Sequence, residues 1–292
     1  MLGFEFLFGK LFGKGEPKAA PNPNAKAYFL GIGLNRVNPN FYGGWNGELT
    51  ACVNDTVDTQ ALVQSVIPGV KGQTLVNDQA TMQNVANAYA GLAAKAMPGD
   101  LVIIQRSGHG GQERDESGDE ADKLDETLCL YDGQVLDDTH AYLLSWFRAG
   151  VRVLLITDTC HSQTMTRFAP SLTAAAPYAI RAIPRAAQTA ASQIQRETIL
   201  YQRSVLTGVP IFVKAGIVSL TACKDSEVAY DGQKNGAFTG ALLKAWGQSP
   251  KDYEDFIKRT RKLCTLPQTP QLTLEGAAND AKAFAKQKPF TL

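Results

Sequence analysis

Four short apolar runs recur along the chain, each rich in residues that favour β-strands: residues 27–34 (AYFLGIGL), 101–105 (LVIIQ), 151–157 (VRVLLIT) and 216–222 (GIVSLTA). Segments with the apolar spacing of helices lie between them, at residues 52–66, 80–97 and 138–148. Runs that are apolar throughout are typical of strands buried on both faces, and strands that alternate with helices favour a parallel sheet. The sequence therefore predicts an α/β domain with a mostly parallel central sheet flanked by helices on both faces.

This alternation stops after residue 160. Residues 164–207 are rich in Ala, Ser, Gln and Arg and contain three prolines, a pattern typical of an irregular segment. A strand pattern returns at residues 216–222, helical spacing follows at 236–246 and 253–262, and a last strand is predicted at 271–274.

Charge and cysteine content exclude two classes of protein. The formal net charge is +1, so no nucleic-acid partner is expected. The five cysteines include no CxxC pair, which argues against a disulfide framework or a zinc knuckle. We therefore expect a reducing compartment and a cytoplasmic location.

The first 14 residues, MLGFEFLFGKLFGK, form an apolar run that Glu5 and Lys10 interrupt. The run is too short and too charged to span a bilayer, and it lacks the basic region and cleavage site of a secretory signal. We interpret residues 1–25 as an N-terminal extension and linker that is flexible or packed as a small flap. The alternative is an amphipathic anchor on a membrane or a partner protein.

Two loops with reactive side chains follow two of the predicted strands. His109 lies in residues 107–111 (SGHGG) after the strand at 101–105, and Cys160 follows the strand at 151–157. Ligands of parallel sheets bind beyond the carboxyl ends of the strands, where such loops meet. An imidazole can activate a thiol and then protonate a leaving amine. The residues alone leave two interpretations open: a catalytic pair, or a core cysteine and a loop histidine that never meet.

Nine short segments occur in the order expected of one family: AYFLGIGL at 27–34, ACVND at 51–55, SGHG at 107–110, GDE at 118–120, DE at 125–126, DD at 137–138, DTCHS at 158–162, ACKD at 222–225 and GAFT at 236–239. With them the chain resembles the caspase fold family, and most closely its metacaspase and orthocaspase branch (peptidase family C14, clan CD), over roughly residues 26–275. The resemblance implies the caspase–haemoglobinase fold, in which helices flank a mostly parallel sheet on both faces.

The resemblance also implies a reaction. His109 and Cys160 would form a catalytic dyad that hydrolyses peptide bonds through a thioester acyl-enzyme, with no cofactor required for the chemistry. Main-chain N–H groups of Gly110 and Cys160 would form the oxyanion site. Such preorganised donors matter because negative charge develops on the carbonyl oxygen during attack.

An acidic pocket is the expected source of specificity. Asp158 lies two residues before Cys160, so both side chains point the same way in an extended chain, although a carboxylate disfavours a neighbouring thiolate. The matching metacaspase positions bind the residue before the cut; here they are Asp55 and Asp158, with Cys52 and Ser107 on the pocket wall. Two carboxylates favour Arg or Lys and repel Asp. The alternative is that Asp55 only caps a helix and Asp158 pairs with a structural arginine.

Acidic residues are concentrated between residues 113 and 138. The spacing is not that of an EF-hand loop, and a charge run is ordinarily a solvated loop. Many metacaspases need calcium, however, and the resemblance implies that Asp125, Asp137 and Asp138 are ligands of an activating calcium ion. Arg167 stands about where the family often has a further ligand, so calcium dependence stays an open expectation.

The segment between the two halves of the domain is itself a candidate substrate. The large-subunit-like part spans about residues 26–165, the irregular linker about 166–207 and the small-subunit-like part about 208–275, followed by a C-terminal tail at 276–292. A flexible segment that carries arginines beside an Arg-selective site predicts self-cleavage. The candidate positions are Arg167, Arg181, Arg185, Arg196 and Arg203. The alternatives are an uncleaved flap over the site and simple disorder.

We therefore expect a cysteine endopeptidase that acts on proteins or peptides with Arg or Lys before the cut, as a monomer. Two rival functions remain at this point. One is a catalytically silent caspase-like scaffold, against which the intact Cys and His argue. The other is a peptidase of the same clan with a different specificity, such as a legumain-like or gingipain-like enzyme.

Overall fold

The computed structural model describes residues 24–114, 124–160 and 178–292. These residues contain nine strands: β1 (Ala27–Gly33), β2 (Lys71–Val76), β3 (Leu101–Ser107), β4 (Gly110–Arg114), β5 (Leu124–Leu130), β6 (Gly133–Leu136), β7 (Arg152–Asp158), β8 (Gly216–Thr221) and β9 (Gln271–Gly276). Six of them form a central sheet in the order β2–β1–β3–β7–β8–β9. All neighbours in this sheet are parallel except β9, which runs antiparallel to β8.

The same residues contain eight α-helices: α1 (Cys52–Val66), α2 (Met82–Lys95), α3 (Asp137–Ser145), α4 (Arg185–Ile194), α5 (Arg196–Leu206), α6 (Ala237–Trp246), α7 (Tyr253–Leu263) and α8 (Ala278–Ala285). Alternate residues of β3 enter different cores. Val102 and Ile104 belong to the core that includes Tyr89 of α2, and Ile103 belongs to the core that includes Phe238 of α6. The predicted fold class, a mostly parallel sheet with helices on both faces, is confirmed.

Helix α1 lies unusually close to β1 because two glycines of the strand face it. A Cβ atom at Gly33 would lie 2.6 Å from the main-chain oxygen of Cys52, and one at Gly31 would lie 2.2 Å from the Thr56 side chain. Thr56 also donates a 2.7 Å hydrogen bond to Gln105 on β3. These contacts hold the first turn of α1, which carries Asp55, against the carboxyl end of the sheet.

A second, three-stranded antiparallel sheet in the order β4–β5–β6 was not predicted. Its strands contain GGQER and LDETLCL, in which charged residues hide the strand pattern. Part of the acidic run between residues 113 and 138 is therefore sheet, which corrects its interpretation as a solvated loop.

The linker was predicted to be irregular over residues 166–207, and this is wrong for its second half, where α4 and α5 form. Three buried glutamines spaced seven residues apart attach these helices to the small sheet. Gln188 donates to Glu113 at 2.7 Å, Gln195 accepts from the Gln134 amide at 2.7 Å, and Gln202 accepts from the Leu136 amide at 3.1 Å. Glutamine is buried here because its amide satisfies groups of the sheet.

Residues 276–292 were predicted to be a C-terminal tail outside the domain, and this is also wrong. Helix α8 lies within them, and its Phe284 is buried together with Phe290 in the core on one face of the sheet. The expected N-terminal extension, residues 1–23 in particular, and its membrane contact lie outside the described residues. Within the described ranges, no helix has the length and apolarity needed to cross a bilayer.

Candidate active site

The two reactive loops leave neighbouring strands at the same level of the sheet. Strands β3 and β7 pair in parallel, and their last paired residues are Ser107 and Asp158. His109 and Cys160 each follow that pair by two residues, so the parallel register brings their main chains to the same edge. Both are buried, at 5% and 0% exposure. The register therefore places the two loops at the same end of the sheet, and the catalytic pairing of their side chains stays a prediction.

The imidazole of His109 is held by the loop that precedes α1. Its Nε2 lies 3.1 Å from the Gly47 carbonyl oxygen, and its ring packs edge-on against Trp45 with a centroid distance of 4.7 Å. A carbonyl oxygen can only accept, so Nε2 carries the hydrogen and Nδ1 of the neutral ring presents a lone pair. Nδ1 is buried and has no hydrogen-bond partner among the described residues.

Burial lowers the pKa of His109 to about 4, although the Gly47 carbonyl opposes this shift. The ring is therefore neutral at physiological pH, as a general base must be. The main chain of Ala182 also acts to raise this pKa, so the residue that follows Arg181 lies near the ring. Cys160 belongs to the same buried cluster as Ala182, and its Sγ lies 3.9 Å from the Glu227 carbonyl oxygen.

Arg181 fills the acidic pocket predicted from the sequence, and no part of its side chain is exposed to solvent. Its Nη2 lies 2.7 Å from Asp55 and 2.8 Å from Asp231. Its Nη1 lies 3.0 Å from an Asp158 carboxylate oxygen and donates to the Ser107 hydroxyl at 2.7 Å. The predicted pocket residues Asp55, Asp158 and Ser107 thus surround one arginine side chain.

Each carboxylate is also fixed by the protein around it. Asp55 lies within α1 rather than at its N-cap, which is Ala51, and it accepts from the Gly236 amide at 2.9 Å. Asp158 accepts from the amide and hydroxyl of Thr239, at 3.1 and 2.7 Å, in the first turn of α6. The positive end of that helix stabilises a carboxylate in this position.

Burial and the charge of Arg181 have opposite effects on the acidic groups of the pocket. Burial raises the pKa of Asp158 to about 6, and the neighbouring Asp55 adds to this shift, whereas Arg181 opposes it. Burial also raises the pKa of the Cys52 thiol, which lies on the pocket wall close enough for Arg181 to oppose that shift. Burial disfavours the charged form of an acid, and the Arg181 cation opposes that effect at Asp158 and at Asp231.

Three pocket residues were missed by sequence reasoning: Asp231, Gly236 and Thr239. A Cβ atom at Gly236 would lie 2.5 Å from both the Arg181 guanidinium and the Asp158 carboxylate, so only glycine leaves room here. The GAFT segment at 236–239 was recognised as a family match but was given no role. Asp231 had no signal of its own, because it reaches the pocket through a loop between β8 and α6.

Arg181 lies at a bend between two residues that form isolated β-bridges. Its N–H donates to the Ala229 carbonyl at 2.9 Å, and its carbonyl accepts from the Gly110 N–H at 3.0 Å. Isolated bridges pair Ile180 with Tyr230 and Ala182 with Gly110. The Arg181 carbonyl therefore faces Gly110, which is one of the two N–H groups predicted to bind the oxyanion.

The other predicted self-cleavage positions lie elsewhere. Arg185 and Arg196 are exposed at the first residues of α4 and α5. Arg203 lies within α5 and pairs with Asp125 at 2.7 Å. Arg167 lies outside the described residues. Among the described candidates only Arg181 lies in the acidic pocket and outside a helix.

The three predicted calcium ligands lie on two different elements of the fold. Asp125 lies on β5 and forms the ion pair with Arg203, and Asp137 and Asp138 begin α3. Across the described ranges, no three His, Cys, Asp or Glu side chains group closely enough to hold a metal ion. These residues do not fit a calcium site in the described arrangement, so calcium activation stays a prediction and no reaction step is assigned to it.

Comparisons with known proteins point to one family. A family model described as "Metacaspase, peptidase C14 domain" matches residues 26–169. Metacaspase-1 of Mycosarcoma maydis is 30% identical over 283 residues, which are 83% of this chain and 68% of the relative. Metacaspase-1 of Schizosaccharomyces pombe is 28% identical, over 83% of this chain and 65% of the relative. The chain thus spans about two thirds of the length of each relative.

A solved structure shows the same architecture. The crystal structure of a protein from Geobacter sulfurreducens superimposes with a TM-score of 0.81 at 37% sequence identity. The match covers 91% of this chain and 99% of that one.

Proposed function

Since the chain belongs to the metacaspase family and is therefore a cysteine-type peptidase of the C14 group, we propose that it cleaves peptide bonds after Arg or Lys and that it processes itself after Arg181. Cys160 is the nucleophile and His109 the acid–base partner. Asp55 and Asp158 hold the basic side chain of the substrate.

The single observation that carries this proposal is the position of Arg181. Its guanidinium lies between Asp55 and Asp158 at 2.7 and 3.0 Å, while its carbonyl oxygen accepts a 3.0 Å hydrogen bond from Gly110. A structural arginine would need the ion pairs alone. The additional alignment of its carbonyl with an N–H at the strand end is what a substrate residue before a cut requires.

The chemistry follows from these positions. Nδ1 of His109 takes the thiol proton as Cys160 attacks the carbonyl carbon, and the Gly110 N–H donates to the oxygen as it becomes negative. The C–N bond then breaks, and His109 returns the proton to the departing amine, which is the Ala182 nitrogen in self-cleavage. His109 then takes a proton from water as the water oxygen attacks the thioester carbon. The C–S bond breaks, the proton passes to the departing Cys160 sulfur, and the new carboxylic acid is released.

Before self-processing, the pocket is closed to other substrates. A fully buried Arg181 leaves no room for the basic residue of another substrate, so the uncut chain is closed to other peptides. After the cut, β7 and β8 still pair within one sheet, and the glutamines of α4 and α5 still attach the new N-terminal segment. The two fragments are therefore expected to stay together.

Loss of one pocket charge is expected to remove most activity on basic substrates. Truncating one partner of a buried, hydrogen-bonded charge pair costs about 2–5 kcal/mol, which is roughly 30-fold to several thousand-fold. Asp158→Asn should lower kcat/KM for Arg and Lys peptides within that range. The matched control is Asp58→Asn, because Asp58 pairs with the exposed Lys234 instead of Arg181. Equal activity of Asp158→Asn and wild type would reject the pocket assignment.

The KM for Arg peptides should depend on pH in one direction. Burial raises the pKa of Asp158 to about 6, so its carboxylate gains a proton as the pH falls through that value and a cationic substrate loses one partner. Arg181 lowers this pKa, so in the empty pocket the carboxylate takes up its proton at or above pH 6, and we expect KM to rise as the pH falls from neutral. Steady-state kinetics measures this rise, with circular dichroism to confirm folding at each pH. In Asp158→Asn this step should vanish, and an unchanged step there would assign it to another group.

A further inference from the structure

The imidazole ring of His109 is held by a single hydrogen bond among the described residues. Its Nε2 donates to the Gly47 carbonyl at 3.1 Å, and its buried Nδ1 has no partner there. One hydrogen bond between neutral groups has a small net strength, so this contact alone fixes the ring only weakly. A ring turned by 180° about its Cβ–Cγ bond would place a carbon atom where Nδ1 lies, and carbon cannot accept the thiol proton. The proposed reaction therefore requires a second constraint on the ring.

The indole ring of Trp45 provides such a constraint beside the carbon edge of the imidazole. The centroids of the two rings are 4.7 Å apart, and their planes are inclined at 61°. A Cβ atom at Gly47 would lie 3.1 Å from Cη2 of Trp45 and 3.2 Å from Cδ2 of His109, so the indole tip and this ring edge converge on one point. Rotation of the imidazole would bring ring atoms into the space that the indole fills, and a turned ring would bury Nδ1 against carbon atoms.

The indole is itself held in place from behind. The ring of Tyr42 packs edge-on against Trp45 with a centroid distance of 6.0 Å. Tyr42 is fully buried, and its hydroxyl donates to the Leu130 carbonyl at 2.7 Å. The main chain on the two sides of this loop is joined by the Val37 N–H, which donates to the Asn46 carbonyl at 2.8 Å. The position of Trp45 is therefore set by the fold before a substrate binds.

Trp45 is distinct from the side chains that bind the basic residue. The guanidinium of Arg181 is contacted by Asp55, Asp158, Asp231 and Ser107. Trp45 is partly buried against the core that includes Tyr42. A change at Trp45 should therefore affect the chemical step through His109 and leave substrate binding nearly unchanged.

We propose that Trp45 is a positioning residue that keeps Nδ1 of His109 turned toward the Cys160 thiol. This inference rests on the proposed function, in which His109 is the base, and it adds a residue that acts on the reaction only through the histidine ring.

The test measures kcat and KM separately for a fluorogenic Arg peptide, with active sites counted by titration with an arginine chloromethyl ketone. Trp45→Ala should lower kcat by about 10- to 100-fold, because a small misplacement of a catalytic group has an effect of this size, and KM should stay within about twofold. Trp45→Phe keeps an aromatic ring beside His109 and should restore most of the lost kcat. Trp146→Ala is the matched control, because Trp146 is also partly buried against the same core, and its kcat should stay within about twofold of wild type.

The variants separate positioning of the base from a general role in the core. Equal losses of kcat in Trp45→Ala and Trp146→Ala, a rise in KM at unchanged kcat, or no rescue by Trp45→Phe would each overturn the inference. If Trp45→Ala does not fold, Trp45→Leu takes its place with the same expectations, because leucine fills part of the space without a flat ring. Wild-type kcat in Trp45→Ala beside an inactive His109→Ala would overturn the inference alone, whereas full activity of His109→Ala would overturn the proposed function.

Discussion

Replacing the Cys160 thiol should reduce hydrolysis of Arg and Lys peptides to background. Removing a nucleophile that works with its base costs about 10⁴-fold or more in kcat. Cys160→Ala should therefore show no turnover in a fluorogenic assay with enzyme at micromolar concentration. It should also remain a single uncut chain on a denaturing gel.

The chain provides a matched control for this variant. The Cys223 thiol is also buried, and its Sγ lies 3.7 Å from the same Glu227 carbonyl that Cys160 contacts at 3.9 Å. Cys223 follows β8 rather than β7, so it is not paired in register with the His109 loop. Cys223→Ala should keep activity within a few-fold of wild type, and a loss as large as that of Cys160→Ala would mean that the wrong sulfur has been assigned.

Replacing Arg181 should abolish self-cleavage and open the site at the same time. Arg181→Ala removes the residue before the expected cut, so the fragment that begins at Ala182 should disappear from the mass spectrum. The same change leaves the pocket without its occupant. The apparent affinity of a peptide is reduced by the fraction of protein that is closed, so uncut Arg181→Ala should hydrolyse Arg peptides about tenfold faster or more than uncut wild type.

Two outcomes would show whether the segment around Arg181 is a substrate of the site or an uncleaved flap over it. Arg185→Ala is the control, because Arg185 is exposed at the start of α4 and four residues from the pocket arginine. It should be cut as wild type is. If wild type is never cut while Arg181→Ala still gains peptidase activity, the segment is an uncleaved flap. If Arg181→Ala is cut at the wild-type rate, self-processing occurs at another residue and the role given to Arg181 is wrong.

The parts of the site that lie on regular elements were predictable from the sequence. The strands that precede His109 and Cys160 are mostly apolar, and the parallel direction of β3 and β7 follows from the helix α3 between them. Asp55 was predictable because a family motif at 51–55 coincides with the start of a helix. At these residues the secondary structure predicted from the local sequence is the one that the folded protein adopts.

The parts that were missed depend on contacts distant in sequence. Asp231 owes its position to Thr50, 181 residues away, and nothing near it in the chain signals that contact. Helices α4 and α5 were taken for irregular linker because the buried side chains of the helices and of the residue between them include Gln188, Gln195 and Gln202, which an apolar pattern does not detect. Their burial is explained only by the amides and carbonyls of the small sheet that they satisfy.

The most direct test is to identify the residue that an arginine chloromethyl ketone modifies in the self-processed protein. Such a reagent places a guanidinium in the acidic pocket and an electrophilic carbon where the scissile carbonyl lies. Peptide mapping by mass spectrometry should find the label on Cys160, with labelling slowed strongly in Asp158→Asn and absent with an aspartyl chloromethyl ketone. A label on another cysteine, or equal labelling by the aspartyl reagent, would contradict the account of a thiol and an imidazole acting beside a pocket for basic side chains.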